Sequence, residues 1–357
     1  MTTLPDRTRP RLTPSVKRAG ASVLRLAGAT LWRTLHPSLR GPFLEAPRPA
    51  PLARLHIETP DGWCVPMFRI PSRPGASGEP VLLLHTVAGA AHALHYGAHS
   101  LASTLADAGF AVFLGAQRGD RDAVGPTEAR IQDVARTDLP VMLARIRDVT
   151  GAQRVHVCGF GLGALLAMDL GARCRDDVGR VVALAPPVRF PRWRTEAQRL
   201  HTAMRLLPPS WALPVRAAGL AGAPWVGPVG QGDGARVRGV LAYGGEDLPA
   251  GMVTELLRWV ADGRVELEPD RDFEVSCGRA RAPLLVLRGA DDVLCSTEAV
   301  EAAGRCWGGQ VTVRQVPGYG HVDLVYAPGA GVDVFAAALA WLDRGRHVSW
   351  GDVEDVA

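Results

Sequence analysis

Hydrophobic and polar positions follow a repeating order of short strand-like runs and longer helix-like segments. Runs rich in Val, Leu, Ile and Ala predict strands at 54–58, 63–70, 81–85, 111–114, 154–158, 181–185, 284–288 and 311–316. Amphipathic segments between them predict helices at 99–108, 127–149, 162–172, 297–306 and 333–344. This alternation predicts an α/β fold with a mostly parallel central sheet, helices on both faces, and entry through an antiparallel hairpin.

The first 52 residues follow a different pattern. Apolar residues at three- and four-residue steps predict a basic amphipathic helix over 15–35, followed by a Pro-rich connector. Arg25 and Arg33 interrupt the apolar positions, so no signal peptide is predicted. Two roles stay open for the helix: docking on the protein's own body or on a partner subunit, and peripheral contact with a membrane surface.

A second break in the alternation divides the core. The segment 186–279 is rich in Pro, Trp, Arg and Gly and predicts a mostly helical cap. The cap separates a first core part at 53–185 from a second at 280–345, and a tail follows at 346–357. Its apolar residues either line a site for an apolar or acyl-ester ligand or form the cap's own core. They include Phe190, Trp193, Met204, Leu206, Leu207, Trp211 and Trp225.

Composition narrows the class of protein. An apolar share of 47 % and a charged share of 21 % argue against a mainly disordered chain and against a polytopic membrane protein. The net charge of +4 is concentrated in residues 1–50, which hold nine Lys or Arg and two acidic residues, so the core is mildly acidic and no nucleic-acid partner is predicted. Six scattered cysteines without a Cys-x-x-Cys pair predict reduced thiols, a cytoplasmic location and no metal site. No cofactor is indicated, membrane-peripheral attachment stays open, and the oligomeric state is not indicated.

The most informative segment is a predicted strand that continues into small residues and then a helix. It matches Gly-x-Gly-x-x-Ala, a relaxed dinucleotide motif, but strand 181–185 ends without the carboxylate that such a site needs. It also matches the nucleophile elbow Gly-x-Ser-x-Gly in the frame Gly159-Phe160-Gly161-Leu162-Gly163, with glycine in place of serine. The flanking glycines suit this second interpretation because side chains beside so sharp a turn would collide.

Two later loops support the elbow. Gly289-Ala290-Asp291-Asp292 follows strand 284–288, and Gly318-Tyr319-Gly320-His321 follows strand 311–316. The Gly-x-x-Asp spacing favours Asp292 over Asp291 as the acid. The order of nucleophile position, acid and base is that of the α/β-hydrolase fold.

The chain resembles the α/β-hydrolase superfamily, and within it the acid-lipase branch of gastric and lysosomal lipases, or an esterase branch. The resemblance covers roughly residues 54–345. Its matching fragments are strand 81–85 ending in His85, Arg118-Gly119, Asp138-Leu139-Pro140, Leu248-Pro249-Ala250-Gly251 and His321-Val322-Asp323. It implies that Asp292 and His321 act beside position 161, with the backbone N–H groups of Val87 and Leu162 as oxyanion donors.

Two departures from the family pattern affect the chemistry. Thr86 replaces the glycine after His85 and is expected to narrow the oxyanion hole. Gly161 replaces the serine, so no acyl-enzyme can form at that position. Cys158 and Cys295 lie near the motifs, but a substitute cysteine nucleophile is not favoured.

Three functions follow from these residues. The first is a degenerate hydrolase that binds an apolar ligand or a partner without ordinary catalysis. The second is an enzyme that uses His321 and Asp292 as a general base without a covalent intermediate, for hydrolysis, lyase or cofactor-free chemistry. The third is a serine esterase whose nucleophile was changed to glycine by engineering. Because the acid, the base and the elbow glycines are in register, Gly161→Ser alone is expected to restore esterase activity.

Overall fold

The computed structural model describes residues 52–343, except 72–77, 97–99, 121, 127, 191–193, 205–211, 214–244 and 270. The predicted helix over 15–35, the connector before Leu52 and the tail 346–357 therefore lie outside the described residues. The same holds for much of the predicted cap. Its boundaries at 186 and 279 stay predictions.

Ten strands lie in the described part of the chain. They are β1 (Ala53–Glu58), β2 (Cys64–Arg69), β3 (Pro80–Leu84), β4 (Ala111–Gly115), β5 (Val155–Phe160), β6 (Val178–Leu184), β7 (Ala212–Leu213), β8 (Leu248–Pro249), β9 (Leu284–Gly289) and β10 (Val311–Val316). Eight of them form one sheet in the order β1-β2-β4-β3-β5-β6-β9-β10. The pairs β1–β2 and β2–β4 are antiparallel, and all later neighbours are parallel.

Helices follow most of the strands. They are α1 (Leu101–Asp107), α2 (Leu139–Thr150), α3 (Leu162–Arg173), α4 (Arg194–Met204), α5 (Ala250–Asp262), α6 (Phe273–Cys277), α7 (Thr297–Cys306), α8 (Asp323–Tyr326) and α9 (Ala336–Leu342). A short helix, Ile131–Asp133, and a π-helical stretch, Val134–Asp138, lead into α2, and a second π-helical stretch, Gly331–Phe335, leads into α9. Among the described residues, no helix has both the length and the hydropathy needed to cross a membrane.

The centre of the sheet is fully buried. Every residue of β3, β4, β5 and β9 is buried, which is why these strands, apart from His156 and Arg288, read as apolar runs and not as alternating ones. The edge strand β10 carries three consecutive exposed residues. The predicted fold class, a mostly parallel sheet entered through an antiparallel hairpin and flanked by helices, is confirmed.

The strand order also locates the functional end of the molecule. The chain runs from β3 to β4 on one side and then returns to β5 on the other side of β3. Ligands of open α/β sheets bind in the crevice at such a reversal, beyond the carboxyl ends of the strands. The loops after β3 and β5 therefore meet where a ligand site is expected.

One predicted helix boundary is wrong. The helix predicted to start at 127 begins at Ile131, because Arg130 is still extended with φ −129° and ψ 147°. The first amide of the helix, Ile131 N–H, donates to the carboxylate of Glu255 on α5 at 2.5 Å. A helix start that is capped from another element leaves no local signal in the sequence.

A buried arginine beyond the carboxyl end of β4 joins separate motifs. The Arg118 guanidinium is bonded to Asp138 through Nε at 2.9 Å and through Nη2 at 2.7 Å. It also donates to Asp61 through Nη2 at 2.8 Å and lies 5.2 Å from the ring centre of Trp63. Arg118 is 1 % exposed, so removing the carboxylates around it would leave an unpaired buried charge, which typically costs about 3–5 kcal/mol.

We predict that Glu255 makes stability depend on pH. Burial raises the pKa of Glu255 to about 7, although the Ile131 N–H bond and nearby Arg258 lower it. Because this pKa lies above the ordinary value of 4.5, the folded state holds the proton more tightly. Glu255 therefore stabilises the fold fully at low pH, and the stabilisation is lost as pH rises through about 7.

Urea unfolding of the wild type and of Glu255→Gln between about pH 5 and pH 8 checks this prediction. The free energy of unfolding of the wild type should fall relative to Glu255→Gln by up to a few kcal/mol across the range. The control is Glu301→Gln, which removes an exposed carboxylate of α7. A constant difference between the wild type and Glu255→Gln across the range contradicts the prediction.

Candidate active site

Gly161 forms a sharp turn between β5 and α3. Its φ of 56° and ψ of −116° lie in a region that L side chains rarely adopt. Gly161 N–H donates to the Leu184 carbonyl at 2.9 Å, which attaches the turn to the end of β6. This is the geometry expected of a nucleophile elbow, in which strain is part of the design.

The two flanking glycines allow a close approach of backbones. A Cβ on Gly159 would lie 2.0 Å from the Gly163 carbonyl oxygen. A Cβ on Gly163 would lie 2.1 Å from the carbonyl oxygen of Leu84, the last residue of β3. Both positions therefore exclude side chains, and the elbow packs directly against the end of β3.

Asp292 and His321 form a buried hydrogen-bonded pair. Asp292 Oδ2 lies 2.8 Å from His321 Nδ1, and Asp292 Oδ1 accepts the backbone N–H groups of Leu294 and Cys295, each at 2.8 Å. The Asp292 carboxylate accepts the hydrogen on His321 Nδ1, which leaves Nε2 as the acceptor. Asp291, the alternative acid, is exposed to solvent, and its backbone N–H donates to the Tyr319 carbonyl.

The histidine faces the elbow. A Cβ placed on Gly161 would lie 3.5 Å from His321 Nε2. The imidazole packs against the Phe160 ring with 4.8 Å between ring centres. Asp323 holds the loop because its carboxylate accepts the Gly320 N–H at 2.7 Å. The structure therefore brings together Gly161, Asp292 and His321, the three positions that the sequence selected.

Arg288 positions the acid, and the sequence motifs did not reveal it. Its Nε donates to the Cys295 carbonyl at 2.8 Å, and its Nη2 donates to the Asp292 carbonyl at 3.2 Å. The side chain is buried at the end of β9. A basic residue inside an otherwise apolar buried strand was the available signal, because such a charge needs partners in the fold.

The loop after β3 forms a tight turn beside the elbow. The Thr86 carbonyl accepts the Gly89 N–H at 3.0 Å and the His85 Nδ1–H at 2.9 Å. Ala88 in this turn has φ 59°, a strained value for a residue with a side chain. Val87 lies in the turn, half-buried. The backbone N–H of Leu162, the other expected oxyanion donor, donates to Thr86 Oγ1 at 3.4 Å.

The Thr86 side chain lies where a serine at 161 would need space. A Cβ on Gly161 would be 2.2 Å from Thr86 Oγ1 and 3.1 Å from Thr86 Cβ. The expectation that Gly161→Ser alone rebuilds a working site is therefore revised. A serine at 161 and the threonine at 86 cannot both keep these positions.

The two nearby cysteines are poor substitutes for the serine. Cys158 is fully buried in β5, and burial raises the pKa of its thiol to about 12. Burial also raises the pKa of Cys295, whose Sγ lies 3.2 Å from the Pro186 carbonyl oxygen. A thiol with a raised pKa supplies little thiolate, which is the nucleophilic form.

Part of the expected ligand-lining surface lies outside the described residues. Phe190 is partly buried against the core. The side chains of the other six apolar cap residues named above are not among those described. Within the described ranges, no cluster of three or more His, Cys, Asp or Glu side chains could hold a metal ion.

Comparison with known proteins agrees with this geometry. Residues 79–219 match the family model for the alpha/beta hydrolase fold. Triacylglycerol lipase 2 of Arabidopsis thaliana is 29 % identical over 154 residues, which cover 38 % of this chain and 37 % of the plant protein. Lipase 1 of Drosophila melanogaster is 32 % identical over 148 residues, which cover 37 % of this chain and 33 % of the insect protein.

A solved structure agrees over a longer stretch. A thermophilic esterase from Thermogutta terrifontis, solved with malate bound, has a TM-score of 0.60 at 18 % identity, covering 83 % of this chain and all of the esterase chain. The chain therefore has the α/β-hydrolase fold. Its sequence is lipase-like at low identity, and it spans about a third of the length of the two lipases that it matches.

We predict that only an exchange at both positions converts the elbow into a serine site. Gly161→Ser alone should melt at a lower temperature, because serine meets Thr86 and adopts a strained backbone at a cost of about 1–3 kcal/mol. Thr86→Gly/Gly161→Ser should fold, react with a fluorophosphonate at residue 161, and hydrolyse a medium-chain p-nitrophenyl ester at least about 100-fold faster than Gly161→Ser.

Mass mapping of the label, steady-state hydrolysis and thermal melting measure these outcomes. Adding His321→Ala to the double variant is the control, and it should abolish the restored activity. Equal labelling of Gly161→Ser and of the double variant would show that Thr86 does not obstruct position 161.

Proposed function

We propose that this site acts on apolar carboxylic esters, with His321 as a general base held by Asp292 and without a covalent bond to residue 161. The observation that carries the proposal is the 2.8 Å bond between Asp292 and His321 Nδ1 in a pair whose Nε2 faces the elbow. A carboxylate with three hydrogen bonds keeps the imidazole in one tautomer and one orientation. The lipase-like sequence and the hydrolase fold support the substrate class.

The proposed reaction is hydrolysis. His321 Nε2 takes a proton from water as the water oxygen bonds to the ester carbonyl carbon, and Asp292 stabilises the imidazolium that forms. The backbone N–H groups of Val87 and Leu162 would bind the oxyanion. When the tetrahedral intermediate collapses, the carbon–oxygen bond to the alcohol breaks and His321 returns the proton to the alcohol.

The acid-lipase likeness is part of this proposal and rests on the motifs around His85, Arg118, Asp138 and His321.

A second candidate is a degenerate hydrolase that binds an apolar ligand without turning it over. One observation favours it: Leu162 N–H is already engaged by Thr86 Oγ1 at 3.4 Å. An oxyanion donor that is occupied by the protein's own hydroxyl is less available to a substrate. In this case a medium-chain fatty acid should bind, and esters should bind without hydrolysis.

We predict that ester hydrolysis by the wild type depends on His321. His321→Ala should lower kcat/KM for a medium-chain p-nitrophenyl ester at least about 100-fold, because general base catalysis typically supplies about 10²–10⁴. Asp292→Asn should also lower it, because the amide can hold the wrong tautomer. The control is His56→Ala, which removes an exposed imidazole of β1 and should leave the rate unchanged.

Stopped spectrophotometric assays and thermal melting of each variant provide the measurements. If the folded His321→Ala variant hydrolyses the ester as fast as the wild type, the catalytic proposal fails. If calorimetry then shows that the wild type binds a medium-chain fatty acid, the degenerate hydrolase is favoured.

A further inference from the structure

The two departures from the family pattern lie against each other in space. Thr86 and Gly161 are far apart in the chain, but Thr86 Oγ1 would be 2.2 Å from a Cβ on Gly161. The distance is far below a contact between two side chains. The threonine side chain thus fills space that a serine at 161 would require.

The Thr86 hydroxyl also lies among the groups that a hydrolase nucleophile needs. Leu162 N–H, at the start of α3, donates to Thr86 Oγ1 at 3.4 Å. A Cβ on Gly161, which would be 2.2 Å from Thr86 Oγ1, would be 3.5 Å from His321 Nε2. Leu162 N–H is therefore bonded to this hydroxyl, and Thr86 Oγ1 and His321 Nε2 both border the space that a Cβ on Gly161 would occupy.

The loop that carries Thr86 is held in place. His85 Nδ1–H and Gly89 N–H both donate to the Thr86 carbonyl, and Glu246 N–H donates to the Ala88 carbonyl at 2.9 Å. Thr86 itself is half-buried. A nucleophile has to be both fixed and accessible. The hydrogen bonds fix the loop, and the partial exposure of Thr86 leaves it accessible.

We propose that Thr86 is the nucleophile of this site, so that the reactive hydroxyl lies on the loop after β3 and not on the elbow. The proposal rests on the proposed function, in which His321 is a working base, and it puts Thr86 in the place of water as the group that first attacks the ester. It requires no new oxyanion donors. Val87 follows Thr86 and Leu162 follows Gly161, so one expected donor comes directly after each of the two positions.

The covalent step balances with ester and water alone. His321 Nε2 takes the Thr86 hydroxyl proton while Oγ1 bonds to the acyl carbon. The carbon–oxygen bond to the alcohol then breaks, and the alcohol leaves with the proton from His321. In the second half, water attacks the acyl-threonine, His321 takes the proton from water, and the acyl–Oγ1 bond breaks. The acid is released, and the proton returns to Thr86.

The test is covalent labelling of the full chain with an alkyl fluorophosphonate, followed by mass mapping of the labelled peptide. We expect the label on Thr86 of the wild type, because Oγ1 would displace fluoride from phosphorus. Thr86→Val keeps the side-chain shape without the hydroxyl and should lower the labelling rate at least about 100-fold, as should His321→Ala. Thr86→Ser should keep or increase the rate, because a primary hydroxyl is less hindered.

Thr312→Val is the matched control, because Thr312 is a half-buried threonine near the start of β10, away from the carboxyl ends of the strands. It should be labelled like the wild type. Thermal melting shows whether each variant is folded, and Thr86→Ala replaces Thr86→Val if the latter does not fold. A folded wild type that takes no label overturns the proposal, as does a label on another residue or equal labelling of Thr86→Val.

Ester hydrolysis separates this proposal from the one on which it rests. Turnover that needs His321 but is unchanged in Thr86→Val overturns Thr86 as nucleophile and leaves water as the nucleophile of the proposed function. Turnover and labelling that are both independent of His321 overturn the proposed function as well. Loss of turnover and of labelling in both Thr86→Val and His321→Ala supports the two proposals together.

Discussion

The close approach of two backbones is the constraint on which the site depends. The start of α3 can reach the end of β3 only because Gly159 and Gly163 carry no side chains, and the turn between them has a positive φ at Gly161. This approach places the Thr86 turn beside Leu162. The packing is possible at the reversal of strand order between β3 and β5, where neighbouring connections leave on opposite sides and open a crevice. Among the described residues, these two loops and the loops of Asp292 and His321 present the groups that the proposed chemistry uses.

Several hydrogen bonds hold Asp292 and the loop of His321 in place. Asp292 is fixed by two backbone amides and by Arg288, and the loop of His321 is fixed by Asp323. Buried polar groups are costly unless every partner is present, so such a network is stable only as a whole. Its completeness contrasts with the missing hydroxyl at 161, and this contrast supports the proposal that another residue carries the nucleophile.

The sequence predicted the fold class and the order of the site loops, because strand periodicity, glycine spacing and the Asp292 and His321 loops are local signals. It did not predict the start of the helix at Ile131, since that amide is bonded to Glu255 from a distant segment. The sequence also did not predict that Arg118 is hydrogen-bonded to Asp138 and Asp61, although Arg118 and Asp138 lay in fragments that resemble the acid lipases. Thr86 and Gly161 were each recognised as departures, but their contact depends on the distance between two loops, which no periodicity encodes.

The contact between positions 86 and 161 has a consequence for mutational history. A chain with threonine at 86 and serine at 161 would carry two overlapping side chains, whereas a chain with glycine at both positions has no such overlap. A change from glycine at 86 and serine at 161 to the present residues takes two substitutions and passes through one of two intermediates. The intermediate with glycine at both positions has no overlap, whereas the one with threonine at 86 and serine at 161 has overlapping side chains. The accessible route passes through a protein that keeps its acid, its base and its elbow but has no hydroxyl between them. Such a protein would depend on binding, or on water activated by His321, for any use of its site.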